Sequence, residues 1–538
     1  MNPNLAARLA DRAAMHPERP AIIEGSGASA RRLTFGGLDR RVRALAAGLA
    51  ERGIGPGDAV LLFVPMSADL YVALLACLHR GATAVFVDAW ADRGRLDAAV
   101  RIADPRAFIG TPRAHLLRLI SPAVRRIPVA LSAGRRLLPL RRYESSGAMA
   151  DAVRVDGSAH ALVTFTTGST GAPKAAARSH DFLWAQHLAI AGHLRPVESD
   201  IDMPTLPVFV LNNLASGITS VLPDFDPRRP ADIDPARIHA QMRAERVTTS
   251  SGSPAFYDRL GRWCAEQGKR IPLRALFTGG APVLPPLARV LDAMVDGDPH
   301  VVYGSSEAEP IAGIDAREML AAMDAAWEDA DHPGGICVGR PVPQVELKLL
   351  RPHDGPIALD EGGWAAWEVG RGEVGEVVVA GAHVLAGYLN DPEAERQNKV
   401  RDGGRVWHRT GDAAWMDAEG RLWLMGRVKE RVQRAGRVWW GGAAEARVVS
   451  RLEVPHAACI GVADAELGER AVLVVETPSG RLTAAERQAL VAALGPFPAD
   501  EIIPLRRIPR DPRHASKTDV GALRAILAKT NGSAFLLR

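Results

Sequence analysis

The sequence predicts an α/β protein: a large N-terminal domain of stacked α/β subdomains plus a small β-rich subdomain, then a small mobile α+β C-terminal domain. Three observations carry this. At 538 residues the chain is too long for one ordinary core, and at roughly 150 residues per domain it divides into about three or four units. Up to about residue 425, helical stretches alternate with short apolar runs ended by Gly, Pro or Asp, the rhythm of a mostly parallel sheet with helical crossovers. Past that point the pattern changes to mixed short strands and helices.

The elements follow in order. The opening "NLAARLADRAAM" places Leu5, Leu9 and Ala13 on one helical face. Its Arg8, Asp11 and Arg12 interrupt any continuous apolar core, which does not suit a secretory signal. "GDAVLLFVP" reads as a strand, "ADLYVALLACLHRG" as a helix and "ATAVFVD" as the next strand. Between residues 375 and 426 the pieces shorten and become β-rich, as in "GEVVVAG" and "GRLWLMG". The last block holds "HAACIGVAD", "RAVLVVE" and a helix through "TAAERQALVAAL". The hinge falls at "GRVKERV", which divides residues 1–428 from 429–538.

Composition removes several function classes. The chain is 47% hydrophobic and 24% charged, with no apolar run long enough for a transmembrane helix. A net charge of +4 is small for this length and calls for no nucleic-acid partner. Cys77, Cys264, Cys337 and Cys459 lie far apart without metal-ligand or CxxC spacing, which reads as four reduced thiols of a cytoplasmic protein. Residues 105–143 contain nine arginines and no acid. That stretch is either a docking face for an acidic pathway partner or anionic membrane surface, or simply a solvated face.

The most chemically loaded segment is "TFTTGSTGAPKAAARSH", residues 164–180. Read as a P-loop GxxxxGK[ST] starting at Gly168, it puts Pro173 at the second glycine and Ala175 at the magnesium-binding hydroxyl, so that motif is rejected. What remains is a loop of Thr166, Thr167, Gly168, Ser169, Thr170 and Gly171 followed by Lys174. Glycines let backbone N–H groups converge on an anion, the hydroxyls add donors and the lysine adds charge. A flexible Ser/Thr/Gly turn is the plainer alternative.

This segment resembles the phosphate-binding motif of the acyl-adenylate-forming superfamily, and other motifs of that family follow in order. "LTFGGLDRRVRALAAGLAERGIGPGD" resembles its opening helix, "GGAPV" and "VYGSSEAEP" its adenine-site segments, and "GEVVVAGAHVLAGYLNDPEAE" its strand-plus-tyrosine segment. "HRTGD" resembles its ribose-binding turn and "GRVKERV" its hinge. Each match is weak alone. Six in order, over roughly 490 residues, are specific.

The resemblance implies ATP and Mg2+ as cofactors and a small-molecule carboxylic acid, a fatty 3-hydroxy acid on the reading preferred below, as substrate. The carboxylate attacks the α-phosphorus, giving an acyl-adenylate and pyrophosphate. Thr166 through Thr170, Gly171 and Lys174 would hold the departing phosphates. Glu307 would hold magnesium, with Gly304 and Ser306 beside it near the α-phosphate. Tyr303 would stack on adenine, while Gly280 and Ala281 line the base. Asp412 would accept both ribose hydroxyls, supported by Arg427. "KTDVGALR" fits the family's terminal pattern and makes Lys517 the lysine that bridges carboxylate and α-phosphate. Lys429 falls at the hinge about which the C-terminal domain rotates. His180, which closes the phosphate motif, is a candidate catalytic, site-shaping residue, with a purely structural role as the alternative.

Three departures bear on the second step. In the acyl-pocket segment "LPVFVLNNLASG", with Phe209, Val210 and Asn212, a valine stands where acyl-CoA ligases usually carry histidine. After the hinge, Gln433 and Ala435 stand where such ligases carry two lysines near the CoA phosphates, with Arg434 between them as a partial substitute. The terminal "PRDPRHASK" is two residues longer than the usual form. These departures, with "SVLPDFDPRRPADIDPARI" and "RAFIGTPRAHLLRL", resemble the β-lactone synthetase branch of olefin biosynthesis. In that branch the substrate's own β-hydroxyl captures the adenylate. CoA is needed only under the alternative, thioester formation; a carrier-protein thiol or an amine is a further acceptor.

Overall fold

A computed structural model describes residues 4–87, 93–133, 149–167, 173–226, 229–329, 332–452, 454–510 and 518–530. Among these residues the strands form three sheets, one of fourteen strands, one of six and one of five. This is the α/β architecture that the alternation of elements predicts.

The six-stranded sheet carries the phosphate segment. Strands Ala59–Phe63, Thr83–Phe86, Ala107–Gly110 and Val129–Ser132 run parallel, as does the pairing of Thr83–Phe86 with His160–Thr167. Their apolar runs, such as "AVLLF", are continuous because both faces are covered by helices. Helix Ala68–His79 starts where the Ser67 hydroxyl accepts from Leu70 N, and its residues are almost all buried. His160–Thr167 then folds back on Pro173–Ser179 as an antiparallel hairpin, pairing Thr166 with Lys174 and Thr167 with Pro173. The two described strands of the hairpin meet this loop, at Thr167 and Pro173, at the carboxyl edge of the sheet.

The fourteen-stranded sheet brings the remaining motifs together. Strands Ala275–Gly279 and Asp298–Ser305 are parallel neighbours, and Asp298–Ser305 turns antiparallel into Ala308–Asp315. Gly279 lies so close to this neighbour that a Cβ there would sit 2.3 Å from Val302 O. Gly280 follows with φ +82° and open space where a side chain would be. At the other end, strand Arg405–Met416 pairs with Gly375–Ala380 and with Leu422–Arg427.

Beneath the strand Arg405–Met416 lies a buried ion pair. Glu376 accepts two hydrogen bonds from Arg409, at 2.6 and 3.0 Å, while its other oxygen accepts from Gly411 N at 3.2 Å. Both side chains are buried. The pair thereby fixes the Thr410–Gly411–Asp412 part of this strand from below, so the segment read as a ribose-binding turn is strand here.

The strand ending at Arg427 gives way to a short helical turn, Val428–Glu430, and then to the five-stranded sheet. Strands Ala457–Asp464 and Gly468–Glu476 and helix Ala484–Ala493 coincide with the segments read from sequence, and the helix opens with a capping box between Thr483 and Glu486. The four cysteines are free and buried. The N-terminal helix, Ala6–Met15, buries Ala6, Leu9 and Ala13 as its periodicity requires.

Glu376→Ala leaves the Arg409 guanidinium buried without its counter-charge. Losing one partner of such a pair costs about 3–5 kcal/mol, so the denaturant midpoint is expected to fall clearly. An unchanged midpoint would mean that this part of the strand is held by other contacts.

Candidate active site

The candidate site forms where the two large sheets meet, around the turn 305–307. Ser305 Oγ accepts from Glu307 N at 3.3 Å, so the turn carries its own cap. Tyr388 donates its hydroxyl to Glu307 Oε1 at 3.2 Å, and Leu385 N donates to Glu307 O at 2.7 Å. Lys174 Nζ lies 5.5 Å from the centre of the Tyr388 ring. Burial lowers the pKa of Lys174, and the nearby Glu307 opposes that shift.

A second group lies alongside. Tyr303, buried, donates its hydroxyl to Asp412 Oδ2 at 2.7 Å, and Arg427 pairs with Asp412 Oδ1 at 3.1 Å. Arg427 also donates to Thr410 O, and the Thr410 hydroxyl accepts from Asp412 N. Burial raises the pKa of the Tyr303 phenol, with Asp412 adding to the shift, so it stays a hydrogen-bond donor. Asp412 keeps lone pairs on both oxygens for further hydroxyls.

The structure thus unites Lys174, Tyr303, Gly304, Ser306, Glu307, Asp412 and Arg427 from distant motifs, with Gly280 and Ala281 on the neighbouring strand end. Thr166 and Thr167 sit at the end of the hairpin beside them. Gly168, Ser169, Thr170, Gly171 and Lys517 lie outside the described residues. Lys429 lies in the exposed turn that follows Arg427.

Other expectations land elsewhere. His180 is fully buried; its Nδ1 accepts from Leu5 N at 3.3 Å, and burial pushes its pKa down to about 4. A neutral imidazole there tethers the N-terminal helix instead of meeting the turn 305–307. Val210 is packed in the core, and Phe209 is also buried. Asn212 alone of the three lines a cavity of about 70 Å³ between the helices Ala6–Met15, Ala68–His79, His180–Leu194 and Pro207–Ser216. Its carbonyl oxygen meets His187 Nδ1 at 2.8 Å. The Arg434 guanidinium, considered as a stand-in for a CoA lysine, is bound to Asp500 at 2.6 Å.

Two cations at the site escaped the sequence reading. Arg178, almost fully buried, donates to Thr164 Oγ1 at 2.7 Å and to Ser306 O at 2.5 Å. It lies on the same strand as Lys174, four residues on, and the period of two puts both on one face. That periodicity was its available signal. Lys399 is also buried; its Nζ donates to Leu385 O and lies 5.2 Å from the centre of the Tyr388 ring. Nothing in "RQNKV" marks it. Burial lowers its pKa to about 7, with Glu307 and Glu395 opposing the shift and Lys174 adding to it.

The sequence model of the family described as AMP-binding enzyme matches residues 9–389. The chain belongs to the AMP-binding enzyme family. It is 36% identical over 458 residues to an olefin β-lactone synthetase of Stenotrophomonas maltophilia, covering 80% of each chain. It is 28% identical over 496 residues to a feruloyl-CoA synthase of an Amycolatopsis species, covering 89% of this chain and 90% of that one. The solved structure of the amide bond synthetase McbA from Marinactinospora thermotolerans matches with a TM-score of 0.79 at 26% identity, over 98% of this chain and 100% of that one. Membership makes this chain an AMP-forming ligase. No helix among the described residues is long and apolar enough to cross a membrane.

Two substitutions test the geometry. Tyr388→Phe removes the hydrogen bond to Glu307, and loss of a bond to a charged group predicts roughly a tenfold fall in kcat. A rate equal to wild type would show that Glu307 is placed without it. Lys399→Met tests the buried amine. Unfolding returns Lys399 to the ordinary lysine range, so between about pH 7 and 10.5 the unfolded chain binds the extra proton. Wild-type stability therefore gains with pH across that window relative to Lys399→Met. Thermal midpoints of both proteins measured across it check the sign.

Proposed function

We propose that this AMP-binding enzyme uses ATP and Mg2+ to convert a 3-hydroxy fatty acid into its acyl-adenylate, and then closes that adenylate to a β-lactone. In the first step a carboxylate oxygen bonds to the α-phosphorus and pyrophosphate leaves. In the second, the substrate's β-hydroxyl oxygen bonds to the acyl carbon, its proton departs to solvent and AMP leaves.

The residues fit the nucleotide. Asp412 can accept both ribose hydroxyls while Tyr303 and Arg427 hold it still. The Tyr303 ring, fixed through its hydroxyl, offers a face to adenine, and the open, left-handed Gly280 with Ala281 lines the base. Among the described residues Glu307 Oε2 has no hydrogen-bond partner, which leaves a hard oxygen for the magnesium ion that travels with the phosphates. Bound there, magnesium would neutralise phosphate charge. Thr166 through Thr170, Gly171 and Lys174 cradle the β- and γ-phosphates. Ser306 stands by the α-phosphate, and Lys517 supplies charge where the two anions meet. Residues 1–428 and 429–538 are the two domains, with Lys429 as the hinge that delivers Lys517. Four buried free thiols suit the cytoplasm.

One observation carries the choice of acceptor. Where a CoA ligase would present cations after the hinge, this chain has Gln433 and Ala435, and Arg434 is engaged with Asp500. The 36% identity to an olefin β-lactone synthetase points the same way. An internal nucleophile needs no such cations. Tethering gives effective molarities of up to about 10⁸ M, which offsets part of the strain of a four-membered ring. CoA thioester formation remains the second reading, favoured by the likeness to a feruloyl-CoA synthase and by Arg437, which is exposed just beyond this segment.

A panel of 3-hydroxy fatty acids with ATP and Mg2+, with and without CoA, separates the two. Mass spectrometry is expected to find the acid minus water, together with AMP, in the absence of CoA. A product that forms only with CoA and carries its mass would replace the lactone reading. Lys517→Ala should lower pyrophosphate release by about 10²–10³-fold, in line with the loss of one charge-stabilising donor. Wild-type release would remove Lys517 from the adenylation step.

A further inference from the structure

The segment between strands Ala107–Gly110 and Val129–Ser132 has two unlike faces. Ala114, Val124 and Ile127 are buried against the sheet, and the buried His115 ring meets Leu131 O at 3.1 Å. On the other side Leu116, Leu119 and Ile120 are 60, 68 and 58% exposed. Three large apolar side chains in solvent within five residues are not explained by folding. An isolated exposed leucine needs no account, but a contiguous group does.

The rim of this group is cationic. Arg113, Arg125 and Arg126 are exposed, and Arg118 is half-buried beside them. Arg118 and Arg125 spend donors on backbone oxygens of the same segment: Arg118 on Ile127 O and Arg125 O, Arg125 on Arg118 O and Leu119 O. Among the described residues none of the four arginines is paired with a carboxylate. Asp97, which receives the Ser121 hydroxyl, faces Arg93 and none of these four. Apolar side chains projecting from an arginine rim match a bilayer interface: the side chains enter the acyl boundary and the guanidinium groups remain among anionic headgroups.

Topology gives the patch a place relative to the chemistry. Strands Ala107–Gly110 and His160–Thr167 run in the same direction within one sheet. The chain leaves Gly110 at the carboxyl edge, where Thr167 also ends, crosses through the patch and re-enters at the amino edge, where Arg118 meets Ile127 O and Arg125 O just before Val129.

We propose that Leu116, Leu119 and Ile120, with Arg113, Arg118, Arg125 and Arg126, form a docking surface for an anionic lipid bilayer. The surface holds the enzyme at the interface into which long-chain acids partition. It does not depend on which nucleophile captures the adenylate.

The test is cosedimentation of the full-length protein with vesicles of phosphatidylcholine alone or mixed with phosphatidylglycerol, at low and high salt. The protein is expected to sediment with the anionic vesicles and to be released by salt. Leu119→Ser/Ile120→Ser and Arg125→Glu/Arg126→Glu should each lower the apparent partition coefficient by at least about tenfold. Their thermal midpoints, and their rates of pyrophosphate release with a short soluble acid, should match wild type. Protein that stays in the supernatant with anionic vesicles, or variants that bind as wild type does, would overturn the proposal. Retention on immobilised polyglutamate without vesicle binding would overturn it in favour of an acidic protein partner.

Discussion

The Asp412 carboxylate joins segments that are more than a hundred residues apart in the chain. One oxygen takes the Tyr303 hydroxyl and the other takes Arg427, whose strand runs into the hinge turn. Below it, the buried Glu376–Arg409 pair fixes the backbone of the strand that carries Asp412. Under the proposed reading Asp412 accepts hydroxyls from the ligand, and such a group is best placed rigidly before the ligand arrives. Here rigidity comes from a phenol, a guanidinium and a buried ion pair, all of them costly to bury unless mutually satisfied.

The second constraint is electrostatic. Joining a carboxylate to a polyphosphate brings like charges together, and the site answers with cations at graded depths. Lys174 is half-buried at the loop end of the hairpin; Arg178 and Lys399 lie deeper and bind backbone oxygens. Arg178 reaches Ser306 O, and Lys399 reaches the Leu385 carbonyl, whose residue in turn holds Glu307 O through its N–H. The deep pair thus sets the backbone around Glu307, while Tyr388 sets its carboxylate. Buried groups of this kind are weak sources of net stability, and what Arg178 and Lys399 supply here is geometry.

Much of this was legible in the sequence. The strand and helix rhythm, the six ordered motifs and the final α+β block all have their counterparts in the structure, because each rests on periodicity or turn chemistry within a short window. What was not legible depends on long-range packing. His180 closes the phosphate motif, yet its ring points into the core to receive Leu5 N, a contact across 175 residues. Val210 sits in an acyl-pocket segment but packs in the core, whereas Asn212, two residues on, faces a cavity. Lys399 looks like a surface lysine in a polar stretch but is buried where its Nζ meets Leu385 O beside the Tyr388 ring. Arg434 looked like a free cation until Asp500, far along the chain, met it.

These features converge on a site built to adenylate an acid and then to leave the capture to the substrate itself. The most direct test of that claim follows the oxygen atoms. A 3-hydroxy acid labelled with ¹⁸O at its hydroxyl is converted with ATP, and the lactone and AMP are weighed by mass spectrometry. Attack by the hydroxyl on the acyl-adenylate predicts that the label stays in the lactone ring and is absent from AMP. Label recovered in AMP would mean that the hydroxyl, not the carboxylate, had been activated, and would contradict the account.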